Sequence, residues 1–151
     1  MSYDLSRRRV LQLLATGAAT TSGAISACSG SSNGEPEPFD DVSAGNVSAL
    51  PADTLQAIPG APAFIGRDQD GLYAMTTTCS HAGCDLSRRG TISAAEISCG
   101  CHHSRFDLNG EVLQGPASSS LTHFAVEVAA DGVITVHGGT TVSASKRTPA
   151  S

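Results

Sequence analysis

From Phe39 onward the polar and apolar positions follow the two-residue rhythm of strands and the short polar breaks of turns. Ala61 to Arg67 is a short apolar run behind Pro62, and Asp68-Gln69-Asp70-Gly71 is a turn sequence. Leu72 to Thr77 reads as the return strand of that hairpin and leads straight into Cys79. Thr91 to Ser98 leads to Cys99 in the same way. Phe124 to Val128, the Asp131-Gly132 turn and Val133 to Val136 predict a second hairpin. No stretch here sustains a helical period. The expected architecture is all-β: a small antiparallel domain over 39–138 with two loops projecting from one end.

The flanks follow other rules. Val10 to Ala27 is weakly apolar and diluted by Thr, Gly and Ser. Ser29 to Pro38 has no apolar residue and is rich in Ser, Gly and Pro, so 28–38 reads as a flexible tether. Residues 139–151 read as a polar, frayed tail.

Composition changes this picture little. The chain has 151 residues, enough for one domain, with 16 Gly and no Trp. Its 9 basic and 14 acidic groups give a net charge of −5, which argues against nucleic-acid binding.

Cysteine changes it more. Five cysteines are present, and four fall in CSHAGC (Cys79–Cys84) and CGCHHSRFD (Cys99–Asp107). Each segment pairs a Cys with a His at ligand spacing: Cys79 with His81, and Cys99 with His102. Two thiolates and two imidazoles suit either zinc or a [2Fe–2S] cluster. His103 is an alternative to His102 on ligand type alone. His123 and His137 read as strand or surface histidines.

The pattern C-x-H-x17-C-x2-H resembles the Rieske iron–sulfur proteins. The extra Cys84 and Cys101 resemble the disulfide-bearing branch, found in cytochrome bc complexes and in the small subunit of arsenite oxidase. Ser104, Phe106-Asp107 and Gly115-Pro116 fall in the family's order, and the similarity runs from about Phe64 to Val136. One position departs: His103 stands where the family usually has Gly.

The resemblance implies a [2Fe–2S] cofactor with Cys79 and Cys99 on one iron and His81 and His102 on the other. It implies a Cys84–Cys101 disulfide and a Gly115-Pro116 loop covering the cluster. It makes Ser104 a hydroxyl donor to a bridging sulfide, and places Phe106 where a Tyr elsewhere donates to a cysteine sulfur. Neutral imidazoles in place of two thiolates lower the negative charge of the cluster, so its potential sits at roughly −150 to +300 mV. The family's role is single-electron transfer.

The N-terminus carries its own resemblances. Ser6-Arg7-Arg8-Arg9-Val10-Leu11 is similar to a twin-arginine export signal. Ile25-Ser26-Ala27-Cys28 is similar to a bacterial lipobox, in which Cys28 becomes the lipidated first residue and 1–27 is removed. The alternative is a retained helix, whose 18 residues from Val10 to Ala27 reach about 27 Å, barely a bilayer core.

The expected protein is thus an exported, membrane-anchored electron carrier or small oxidoreductase subunit on the periplasmic or extracytoplasmic face. Its alternatives are a quinol-oxidising bc-complex subunit and a non-redox zinc module. Cleavage before Cys28 leaves 6 basic and 13 acidic groups, a charge of −7 that suits a basic redox partner such as a c-type cytochrome.

Overall fold

The structure, a computed structural model, describes residues 36–150. The export-signal residues, Cys28 and all but the last three residues of the tether lie outside the described residues.

Two antiparallel sheets make up the molecule. The larger has six strands: β1 (Val42–Asn46), β2 (Thr54–Ala57), β3 (Ala63–Arg67), β4 (Leu72–Thr76), β9 (His123–Val128) and β10 (Val133–Val142). Their order is β1-β10-β9-β4-β3-β2. The smaller has four: β5 (Gly90–Ile92), β6 (Ile97–Cys99), β7 (Arg105–Phe106) and β8 (Val112–Gln114), in sequential order. The whole small sheet is inserted between β4 and β9, which pair with each other.

Alternation on β3 and β4 explains how two cores share one sheet. Phe64, Tyr73 and Met75 point to one side, where they join Leu86, Ile97, Phe106 and Leu121. Ala63, Ile65, Leu72 and Ala74 point to the other and join Phe124, Ile134 and Val136. Both faces of this hairpin are therefore covered, which is why it reads as an apolar run rather than a clean alternation. The first core also contains Cys79 and Cys99, so the candidate ligands grow out of packed structure.

Three elements differ from the sequence reading. Thr91 to Ser98 is not one strand. Ser93 N–H bonds Glu96 C=O at 2.9 Å, and Ser93 Oγ accepts the N–H groups of Ala95 and Glu96 at 3.3 and 3.1 Å, turning the chain into the β5–β6 hairpin. A single helical turn, α1 (Leu86–Arg89), follows the first loop and is capped by the Asp85 side chain on Ser87 N at 2.9 Å. One turn is too short to show a period.

The third difference is the tail, 139–151, expected to be frayed. Strand β10 continues to Val142, and Thr148 exchanges two backbone hydrogen bonds with Leu72, at 2.8 and 2.9 Å. Arg147 then bonds Asp68 Oδ2 at 2.6 Å and Asn109 Oδ1 at 2.8 Å, with its guanidinium 4.3 Å from the centre of the Tyr73 ring. The tail docks through backbone and charged groups, so it needs almost no apolar residue.

Candidate metal centre

Each sheet delivers one loop. Beyond β4, Thr78 and Asp85 form a bridge that closes the loop of Cys79–Cys84. The other loop, Cys99–Ser104, joins β6 to β7. The two loops share one hydrogen-bond pattern. Cys79 N–H bonds Cys84 C=O at 2.8 Å, and Gly83 N–H returns to Cys79 C=O at 2.9 Å. Cys99 N–H bonds Ser104 C=O at 2.8 Å, and His103 N–H returns to Cys99 C=O at 3.0 Å.

This repeated turn places like groups opposite one another. Cys79 and Cys99 are free thiols, each about 1% exposed, with their side chains in hydrogen-bond contact. Burial pushes the Cys79 thiol up, opposed by the backbone N–H groups of His81 and Ala82 that point at its sulfur. The imidazoles of His81 and His102 meet edge to face with ring centres 4.8 Å apart. His81 is half-buried and His102 exposed, so the imidazole pair forms the outer end of the site. Cys84 and Cys101 are joined as a disulfide that ties the loops together, 17 residues apart in sequence.

A third segment, Gln114 to Leu121, closes the site. Ala117 is buried and donates its N–H to Ser104 Oγ at 2.9 Å. Ser119 C=O accepts the Ser80 hydroxyl at 2.5 Å, tying this segment to the first loop. Ser104 is fully buried, and its own proton has no acceptor among the described residues. Phe106 is fully buried in the same core. Sequence reasoning missed the backbone donors of His81, Ala82 and Ala117, because an amide carries no residue-type signal.

The other histidines lie elsewhere. His103 is exposed beside His102, with φ 62°. His123, on β9, is buried; its Nδ1 contacts Leu121 C=O at 3.1 Å, and burial pushes its pKa down. His137, on β10, sits between Asp41 and Glu127.

Two buried polar side-chain atoms lack a hydrogen-bond partner among the described residues, and one is His81 Nδ1. A buried imidazole nitrogen without a partner is costly unless it binds something. The same two loops carry two buried thiols, a second imidazole and, at Ser104, a hydroxyl with an uncommitted proton. This donor set fits a cluster that takes thiolate, imidazole and sulfide-directed hydrogen bonds.

Fold and site together define a small β protein built around a mixed thiolate–imidazole centre. Residues 40–125 match the Rieske [2Fe-2S] domain, and the chain belongs to that family, with a [2Fe–2S] cluster as its cofactor. It is 34% identical over 82 residues to the cytochrome b6-f complex iron-sulfur subunit of Synechococcus sp. (strain CC9605), covering 52% of this chain and 45% of that one. It is 33% identical over 82 residues to the cytochrome b6-f complex iron-sulfur subunit 1 of the Cyanophora paradoxa cyanelle, covering 52% and 34%. The chain thus spans under half the length of these relatives. Among solved structures it resembles a chain of the complex of reduced oxygenase and oxidized ferredoxin in carbazole 1,9a-dioxygenase. That match has a TM-score of 0.51 and 27% identity, and covers 68% of this chain and 97% of that one.

Proposed function

We propose that the chain is a one-electron carrier whose cluster is held by Cys79 and Cys99 on one iron and by His81 and His102 on the other. The observation that carries this reading is the orphaned, buried His81 Nδ1 on loops that also carry two buried free thiols. With all four ligands supplied by the protein, the iron keeps no open position, so the site passes electrons instead of binding substrate. His102 is the ligand in preference to His103, because its ring faces that of His81.

The chain works on the outer face of a membrane, exported through Arg7-Arg8 and held there by lipid on Cys28. These two sequence features support that reading, as does the disulfide, which persists in an oxidising compartment. Its role is that of a carrier or small oxidoreductase subunit, with cytochromes or oxygenases as the partner classes that its relatives and its structural neighbour bring to mind. A quinol-oxidising subunit is the second reading, favoured by the b6-f relatives.

Purified protein is expected to hold two irons and two acid-labile sulfides, and to give a rhombic EPR signal when reduced. Stoichiometric zinc without sulfide would defeat the cluster reading. Cys28→Ala should abolish lipid labelling and release the protein from membranes. Retention on the membrane would instead favour an uncleaved helix.

A further inference from the structure

The sulfurs of Cys84, Cys99 and Cys101 all lie within 4.8 Å of one another. Two of them form the disulfide, and the third belongs to a free, buried thiol. We infer that Cys99 is the built-in attacking thiol for the Cys84–Cys101 disulfide, and that loss of the cluster moves this bond to Cys84–Cys99. The inference rests on the ligand assignment above, because iron bound to Cys99 is what holds the exchange in check.

The step balances without an oxidant. The Cys99 thiolate, turned about its Cα–Cβ bond, attacks Cys84 Sγ. A Cys84–Cys99 bond forms, the Cys84–Cys101 bond breaks, and the electron pair leaves on Cys101 Sγ, which takes up the proton Cys99 lost. Cys84 is the target because only Gly100 separates Cys99 from Cys101, and a ring that small is strained. A thiolate coordinated to iron shares its lone pairs with the metal and is a poor nucleophile, so the holoprotein keeps the original link. Release of iron frees that sulfur in a site whose other free thiol, Cys79, is its direct neighbour.

The consequence is a latch. After exchange the two loops remain tied, but Cys99 is no longer a ligand and the free thiol stands two residues further on. Iron cannot be taken up again until a thiol reductant reverses the link. The chain would thus record the loss of its cluster in its own covalent structure.

The test uses the full chain under anaerobic conditions. Iron and labile sulfide are assayed first. The protein is then treated with a ferrous chelator, quenched in acid and alkylated, and tandem mass spectrometry locates each link and each label. The expected result is a Cys84–Cys99 link in most of the iron-free protein, with alkyl groups on Cys79 and Cys101. A retained Cys84–Cys101 link, with labels on Cys79 and Cys99, would overturn the exchange while leaving the cluster intact as a conclusion. Absence of iron and sulfide at the outset would defeat both. In Cys99→Ser, given the same treatment, the Cys84–Cys101 link should stay in place. Its movement there would show that another thiol attacks, and would equally overturn the assignment to Cys99.

Discussion

Gly83 and His103 occupy the same place in the two cluster loops, with φ of 70° and 62°. Each donates its N–H back to the cysteine that opens its loop. The turn thus demands a left-handed residue at both positions, and glycine is the residue that meets this demand without strain. Histidine is among the few side chains that tolerate it, and a β-branched residue is not. His103→Gly is therefore expected to keep or slightly raise thermal stability. His103→Val should lose about 1–2 kcal/mol by denaturant unfolding. Equal losses in both variants would mean that the imidazole itself, not the backbone, holds this loop.

Ser104→Ala is expected to act twice. It removes a fully buried hydroxyl, which the resemblance makes a donor to a bridging sulfide, and it orphans the Ala117 N–H. The second effect costs about 1–3 kcal/mol of stability. The first makes the reduced, more negative cluster less favourable, so the midpoint potential should fall by some tens of millivolts, about 59 mV being a tenfold change in equilibrium for one electron. Phe106→Tyr adds a hydroxyl in the same core and should move the potential upward. Unchanged potentials in both variants would show that neither side chain points at the cluster.

Arg147 joins three parts of the molecule: its own tail, Asp68 in the β3–β4 turn and Asn109 in the small sheet's β7–β8 connection. Its side chain is 15% exposed, so these charge-assisted bonds are poorly screened. Arg147→Ala should destabilise the protein by about 2 kcal/mol, lowering the thermal midpoint by roughly 10 °C. Arg147→Lys should recover little, since an ammonium cannot reach both partners as a planar fork does. A midpoint within about 2 °C of the parent would mean that the Arg147 side chain adds nothing to stability.

This tail marks where the sequence stops being legible. The four candidate ligands stand out because a turn of set length brings Cys and His together, so their spacing survives as a local pattern. The β9–β10 hairpin stands out because Phe124 to Val136 alternates around Asp131-Gly132, a purely local signal. Arg147 offers no such signal. Its partners lie 79 and 38 residues away, and nothing in Ser-Lys-Arg-Thr-Pro indicates a docked segment. The turn at Ser93–Glu96 was hidden for a different reason: it uses one serine hydroxyl in place of Gly or Pro.

His137 supplies a pH dependence of known sign. Its Nδ1 lies 2.7 Å from Asp41 Oδ2 and its Nε2 3.4 Å from Glu127 Oε2, and the Asp41 bond above all holds its pKa above the ordinary value. A raised folded-state pKa stabilises the fold below the unfolded value of about 6.5, and that gain is lost as pH rises through the folded pKa. The Asp41 and Glu127 carboxylates are largely exposed, so the effect should stay below about 1 kcal/mol. The parent protein should lose more stability than His137→Gln between about pH 5.5 and 8.5, with Asp41→Asn intermediate. Parallel pH profiles would show that this triad does not couple to folding.

Net charge and local charge point in different directions at the cluster. The chain carries −5 overall, yet 79–84, 99–104 and 114–121, the three segments around the site, contain no Asp, Glu, Lys or Arg. Of the flanking charges, Arg105 pairs with Glu96, and Asp85 bonds Ser87 and lies 3.5 Å from Arg88. Asp40, Asp41, Asp53, Asp68, Asp70, Glu127 and Asp131 all lie on the six-stranded sheet, in its turns or in the chain entering it. An electron crossing at the imidazole pair therefore leaves between loops that carry no formal charge of their own, with Glu111 at their edge, where its carboxylate accepts the Ser120 hydroxyl at 2.7 Å. Charges more than a Debye length away, about 8 Å at physiological salt, are largely screened. Oxidation of the reduced protein by an anionic complex (hexacyanoferrate) and a cationic one (hexaammineruthenium) should show this in stopped flow. Each rate is expected to change by less than about threefold between about 100 and 200 mM ionic strength, where the Debye length is about 10 Å or less. Steep and opposite salt dependences would mean that the whole molecule's negative charge, and not the uncharged loops, governs how a partner approaches.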